Sequence, residues 1–237
     1  MGMKRFKKKL MIFGKILGFL GLTNCASTMS GTERIARLRD GTGNPRISVL
    51  FIGNSYSFGA PGAFAKLARS KGRKVLVRQS TIGGWSLEKH MTQPETLEKL
   101  RSRKWDAVVI QDHSLNPGSP EESRRNTMDP GVKFFANEAR AMGATPFLFQ
   151  TWGRRDGFHP SQGGDFFEMN KRVREGCRIA AERAGGIGIV PVGDAWEREF
   201  RENRGNRLYH EDGSHPSPEG DAVTAAAFYR AIFGGDG

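Results

Sequence analysis

The chain has 237 residues, of which 37% are hydrophobic and 26% charged, and its formal charge is +12. That composition gives room for one sizeable core and excludes a disordered, collagenous or disulfide-stapled chain. The charge is concentrated at the start: residues 1–25 hold six Lys or Arg and no acid, which leaves +6 on the remainder, with no aromatic–basic repeat to make a nucleic-acid-binding face.

Lys4, Arg5, Lys7, Lys8 and Lys9 precede an apolar stretch, 10–22, that is short for a membrane span. This pattern predicts an export signal over 1–25 and a location in the cell envelope or periplasm. Leu22-Thr23-Asn24-Cys25 resembles a bacterial lipobox, whose cysteine would carry a lipid anchor. Simple cleavage, an uncleaved anchor and a cytosolic amphipathic helix are the alternatives. Residues 26–45 are polar, with Gly41, Gly43 and Pro45, and read as a tether to a folded domain over 46–237.

Within that domain short apolar runs alternate with amphipathic ones. The strand candidates are 47–52, 74–78, 107–111, 146–150 and 187–192; helical periodicity covers 63–70, 87–102, 132–142, 166–184 and 218–233. Alternation of this kind predicts an α/β fold, a three-layer, flavodoxin-like doubly wound parallel sheet of about five strands. The stretch 114–129 reads as one irregular loop over the site. Cys177, in a helical pattern and without a spacing partner, reads as a buried thiol.

In such a sheet ligands bind beyond the carboxyl ends of the strands. Chemistry-bearing residues cluster there: Gly53-Asn54-Ser55 after the first strand, Gly83-Gly84-Trp85-Ser86 after the second, Gln111-Asp112-His113-Ser114 after the third and Gln150-Thr151-Trp152 after the fourth. Gly53 would let the chain turn and offer Ser55 at the sheet edge. A serine nucleophile needs a base, a group that orients the base, and donors for the oxyanion. His215 could be the base and Asp212, three residues earlier, its orienting group. The segment lacks the second glycine of a nucleophile elbow and the Gly-Lys-Ser/Thr of a phosphate-binding loop.

Taken together, these blocks resemble the SGNH or GDSL-type serine hydrolases. Gly53-Asn54-Ser55 matches the first block, Gly84 the second and Asp212-Gly213-Ser214-His215 the last, over nearly all of 46–237. The resemblance implies catalytic Ser55, His215 and Asp212, with an oxyanion site from the Ser55 and Gly84 N–H groups and a side-chain amide. The common Gly-x-Asn-Asp of the third block is absent. Gln111, as in some carbohydrate-esterase branches, or Asn116 would supply that amide.

Rival readings exist for each residue. "DGFHPSQGG" from Asp156 repeats the frame of "DGSHPSPEG" from Asp212, so His159 competes with His215; Ser217-Pro218-Glu219 is the better helix start and favours His215. That choice puts His159, Arg154 and Arg155 on the rim. Ser55 could merely cap a helix, His90 reads as a surface residue, and His113 as a structural or substrate contact. Trp85 and Trp152 are either core or a sugar platform. His210, Asp212 and His215 do not complete a metal set, and neither metal nor organic cofactor is implied. The expected activity is hydrolysis of acetyl or other short acyl esters on glycans. The alternatives are a catalytically silent glycan- or partner-binding module and a phosphate- or nucleotide-binding loop.

Overall fold

The computed structural model describes residues 46–158 and 164–234. The regions read as signal and tether, and His159, lie outside them. Five parallel strands form one sheet: β1 (Ile47–Gly53), β2 (Val75–Thr81), β3 (Ala107–Ile110), β4 (Thr145–Gln150) and β5 (Gly188–Pro191), in the order β2-β1-β3-β4-β5. This is the doubly wound arrangement expected from the alternation, and strand order reverses between β1 and β3.

The helices are α1 (Ala60–Ser70), α2 (Leu87–Met91), α3 (Pro94–Arg101), α4 (Glu121–Thr127), α5 (Asp129–Ala141), α6 (Phe166–Arg183), α7 (Val192–Arg201) and α8 (Pro218–Phe233). Successive side chains of β1 enter opposite layers. Val49 and Phe51 pack with Phe64 of α1, Trp196 of α7 and Phe228 of α8, whereas Leu50 and Ile52 pack with Leu100, Phe135, Val173 and Cys177 from α3, α5 and α6. Every residue of β1, β3 and β4 is buried, as both-face coverage requires.

Three differences from the sequence expectation have local causes. The helical pattern 87–102 is two helices, because Pro94 cannot continue α2 and holds Gln93 extended; the same proline opens α3 at its first turn. The expected loop over 114–129 instead contains a 3-10 turn, Asn116–Gly118, and α4. That turn is fastened to α6, where the Pro117 carbonyl fills the space a Cβ on Gly176 would need. Finally, α7 follows β5 with no intervening loop, and its Val192, Ala195 and Trp196 are buried at helical spacing. No helix among the described residues is long and apolar enough to cross a membrane.

Candidate active site

β1 delivers Ser55 to the carboxyl edge of the sheet beside the switch point. Ser55 opens a 3-10 turn, Ser55–Ser57, whose cap is Asn54: the Asn54 Oδ1 accepts from the Tyr56 N–H at 3.1 Å. Gly53 is not in a left-handed conformation; it ends the strand extended. Its lack of a side chain matters for another reason, since a Cβ there would lie 2.4 Å from Gln111 Oε1. The glycine therefore admits Gln111 rather than making the turn.

The loop ahead of α8 delivers the base. Ser217 caps α8, accepting from the Gly220 N–H at 3.2 Å, and Pro218 fills the first turn. Tyr209 and Pro216 form an antiparallel bridge that closes the loop between them. Inside it, Asp212 Oδ1 accepts the N–H groups of Ser214 and His215, each at 2.9 Å, and Oδ2 lies 2.6 Å from His215 Nδ1. Burial works to raise the Asp212 pKa, but the bonds from the His215 ring and the two backbone N–H groups outweigh it and hold the group down at about 2. The ionised carboxylate fixes the ring proton on Nδ1, leaving the Nε2 lone pair 2.9 Å from Ser55 Oγ. The structure thus brings Ser55, His215 and Asp212 together in one hydrogen-bonded line.

An aromatic stack backs this line. Tyr56 meets the His215 ring edge-on at 5.4 Å and stacks on Trp152 at 4.7 Å, which stacks in turn on Trp196 at 4.0 Å. The Tyr56 hydroxyl contacts Ser214 Oγ at 2.5 Å, and Trp152 Nε1 donates to the Ser214 carbonyl at 3.0 Å. Trp152 is fully buried, so it belongs to the core behind His215 and is no sugar platform. Trp85 is half-buried and meets His90 at 5.1 Å.

The candidate oxyanion donors divide into two kinds. The N–H groups of Ser55 and Gly84 donate to no acceptor among the described residues. Gly84 has φ +71, a left-handed conformation that strains any residue with a Cβ. Gln111, expected as a side-chain donor, is engaged elsewhere. Its Nε2 donates to Asn54 Oδ1 at 3.0 Å and to the Asp112 carbonyl, while Oε1 accepts from the Asn54 N–H at 2.8 Å and the Ser57 hydroxyl at 3.0 Å. With both amide hydrogens committed and the side chain fully buried, Gln111 has none to offer an oxyanion. Asn116, the alternative, gives one hydrogen to Asp112 Oδ2 at 3.0 Å and retains the other.

His90 is a second correction. It is fully buried, not superficial, with Nε2 2.8 Å from the Gly53 carbonyl and Nδ1 2.9 Å from Thr96 Oγ1, which lies 2.8 Å from Ser80 Oγ. A carbonyl can only accept, so Nε2 carries the proton. Burial lowers the His90 pKa against the opposing Gly53 bond, which keeps the ring neutral and lets Nδ1 accept from Thr96. The Gly53 carbonyl also receives the Ile82 N–H at 3.1 Å. His90 therefore ties the turn bearing Ser55 to the loop bearing Gly84. It lies in a helical pattern, and its partners Gly53 and Thr96 lie on other elements, so no local pattern signals its burial.

Asp112 is buried, accepting from the Leu87 N–H at 2.8 Å as well as from Asn116; burial is the main influence on its pKa and raises it. Cys177 is buried and its thiol pKa is pushed far up by desolvation, which makes it inert. No group of three metal-ligating side chains occurs among the described residues.

No protein-family model matches the sequence, and no curated protein matches it. Solved structures do match the fold. A DUF4886 family protein from Bacteroides uniformis is 22% identical with a TM-score of 0.69, covering 79% of this chain and 83% of that one. An acetylxylan esterase, Axe2, from Geobacillus stearothermophilus is 17% identical with a TM-score of 0.60, covering 78% and 94%. A protein from Parabacteroides merdae described as a GDSL-like lipase is 16% identical with a TM-score of 0.58, covering 78% and 95%. On its parallel sheet and these likenesses, the chain has the SGNH/GDSL-type fold.

Proposed function

We propose that the protein is a serine ester hydrolase that removes acetyl or other short acyl groups from glycans through an acyl-enzyme. The observation that carries this reading is the line from Ser55 Oγ through the His215 ring to Asp212, at 2.9 and 2.6 Å. Ser55 Oγ attacks the ester carbonyl as its proton passes to His215 Nε2. Charge on the carbonyl oxygen is met by the Ser55 and Gly84 N–H groups. When the carbon–oxygen bond to the alcohol breaks, His215 returns its proton to the departing oxygen. Water then loses a proton to His215 and attacks the acyl carbon, freeing the acid and restoring the serine hydroxyl. Base catalysis contributes about 10²–10⁴-fold and one oxyanion donor about 10²–10³-fold.

The glycan part of the reading draws on three facts. The side chains of His215 and Asp212 are 42% and 49% exposed, which leaves the reacting face open to a bulky alcohol. Axe2, which has the same fold, acts on acetylated xylan by its name. The basic–apolar segment 1–25 supports export to the cell envelope, where such polymers are met.

The test is hydrolysis of p-nitrophenyl acetate and acetylated xylan by the full chain beside Ser55→Ala and His215→Ala. Turnover should fall by about 10³-fold or more in each variant. Activity that survives Ser55→Ala, or that is lost through His159→Ala but not His215→Ala, would overturn the assignment.

A further inference from the structure

The carboxyl edge of the sheet carries a cation that the proposed chemistry does not use. Arg154 follows β4 and is half-buried. Its Nη2 reaches Ser114 Oγ only at 3.4 Å, and its Nε is shut off from solvent with no hydrogen-bond partner among the described residues. No carboxylate pairs with it there, whereas the adjacent Arg155 is held by Asp156 at 3.1 Å. A guanidinium keeps its charge under all ordinary conditions, and a buried N–H without an acceptor costs about 1–3 kcal/mol.

Contacts fix where this cation stands. The Arg155 N–H donates to the Gly213 carbonyl at 2.8 Å, so Arg154 is one residue from a direct bond to the His215 loop. Ser114, its weak partner, lies two residues beyond Asp112, whose carbonyl receives Asn54 Nδ2 at 3.4 Å beside Ser55. Between them is His113. Its Nδ1 accepts from the Leu115 N–H at 3.4 Å, which leaves the ring proton on Nε2 as a donor. Burial lowers the His113 pKa; Arg154 and Lys89 push the same way against the pull of Asp112.

Resting on the hydrolase reading above, we propose that Arg154 and the His113 Nε2–H receive a carboxylate on the alcohol part of the ester. The preferred substrates are then acyl esters of acidic sugars or related hydroxy acids. The alcohol side is indicated because His215 must reach the departing oxygen and Arg154 adjoins Arg155, whose N–H bonds the His215 loop, whereas Ser55 and Gly84 stand over β1 and β2. A planar guanidinium matches a carboxylate in two parallel bonds, and a single such cation beside a neutral imidazole suits one negative charge better than a phosphate dianion.

Two probe esters that differ only in charge, para-acetoxybenzoate and para-acetoxybenzamide, test this with the full chain. Wild type should favour the carboxylate in kcat/KM, and Arg154→Met should lower the carboxylate-to-amide ratio by about 10–100-fold, the worth of hydrogen bonds to a charged group. Arg154→Lys should restore part of the ratio, and added salt should shrink it in wild type. An unchanged ratio in Arg154→Met, or equal loss on both probes, would overturn the proposal. Failure of the hydrolase reading is seen separately, as no turnover of either probe by wild type. The subsite is then read by titrating trigalacturonate and xylotriose into Ser55→Ala. Preference for the acid, lost when Arg154→Met is added, supports it; equal binding of the two sugars overturns it.

Discussion

Gln111 and Asn54 bond to each other in both directions: the Asn54 N–H donates to Gln111 Oε1 at 2.8 Å, and Gln111 Nε2 donates back to Asn54 Oδ1 at 3.0 Å. The two residues are 57 apart in sequence and join the ends of two neighbouring strands, β1 and β3. Gln111 thus holds the turn that presents Ser55, and is a positioning residue.

Gln111→Leu should therefore lower stability, because it strands the buried Asn54 N–H and leaves Asn54 Oδ1 with the Tyr56 N–H but without its second donor. The expected loss is about 2–4 kcal/mol in denaturant unfolding. Gln111→Glu should also destabilise, since it sets an acceptor against Asn54 Oδ1 and the Asp112 carbonyl. Wild-type stability in either variant would contradict the role given to this pair.

Asp212→Asn should leave the fold intact and slow turnover. Asp212 Oδ1 is bound by two N–H groups, so asparagine would keep its oxygen there and turn its NH₂ toward His215 Nδ1. The ring would then carry its proton on Nε2, facing Ser55 Oγ with nothing to accept a proton. A kcat loss of about 10²–10⁴-fold with KM little changed is expected from steady-state kinetics.

His90 should matter more to kcat than to KM. His90→Leu removes one of two donors to the Gly53 carbonyl and leaves Thr96 with Ser80 but without its acceptor on the ring, loosening the register between Ser55 and Gly84. His90→Gln, which can donate to Gly53 and accept from Thr96, should recover part of the lost kcat. Equal damage from both variants would reduce His90 to a packing residue.

Asp221 gives a pH signature. It packs against Gly59 with Oδ1 buried and without a hydrogen-bond partner among the described residues, and burial raises its pKa to about 6 despite the counter-pull of His210. A folded-state pKa above the unfolded one means that the folded protein binds the extra proton, so stability falls as pH rises from about 4 through 6. Asp221→Asn should therefore stabilise the protein above pH 7, on the order of 1–2 kcal/mol after screening, and the gain should vanish below about pH 4. Thermal unfolding of both proteins across that range checks the sign.

Local pattern and local chemistry determined a good deal by themselves. Apolar runs alternating with helical periodicity specify a parallel doubly wound sheet, because each strand must bury both faces and each helix one. Ser217 and Pro218 mark the start of α8 through capping, which needs only neighbouring residues and places His215 just ahead of the helix. Tertiary structure alone decided which groups meet across the sheet edge. It gave the Gln111 amide to Asn54, buried His90 between Gly53 and Thr96, put Trp152 behind His215 in the core, and left Arg154 without a carboxylate among the described residues. Each of these is a choice of hydrogen-bond or packing partner from a distant element. Such partners leave no period in the chain, because the energy that selects them arises only when the strands are side by side and water has been removed.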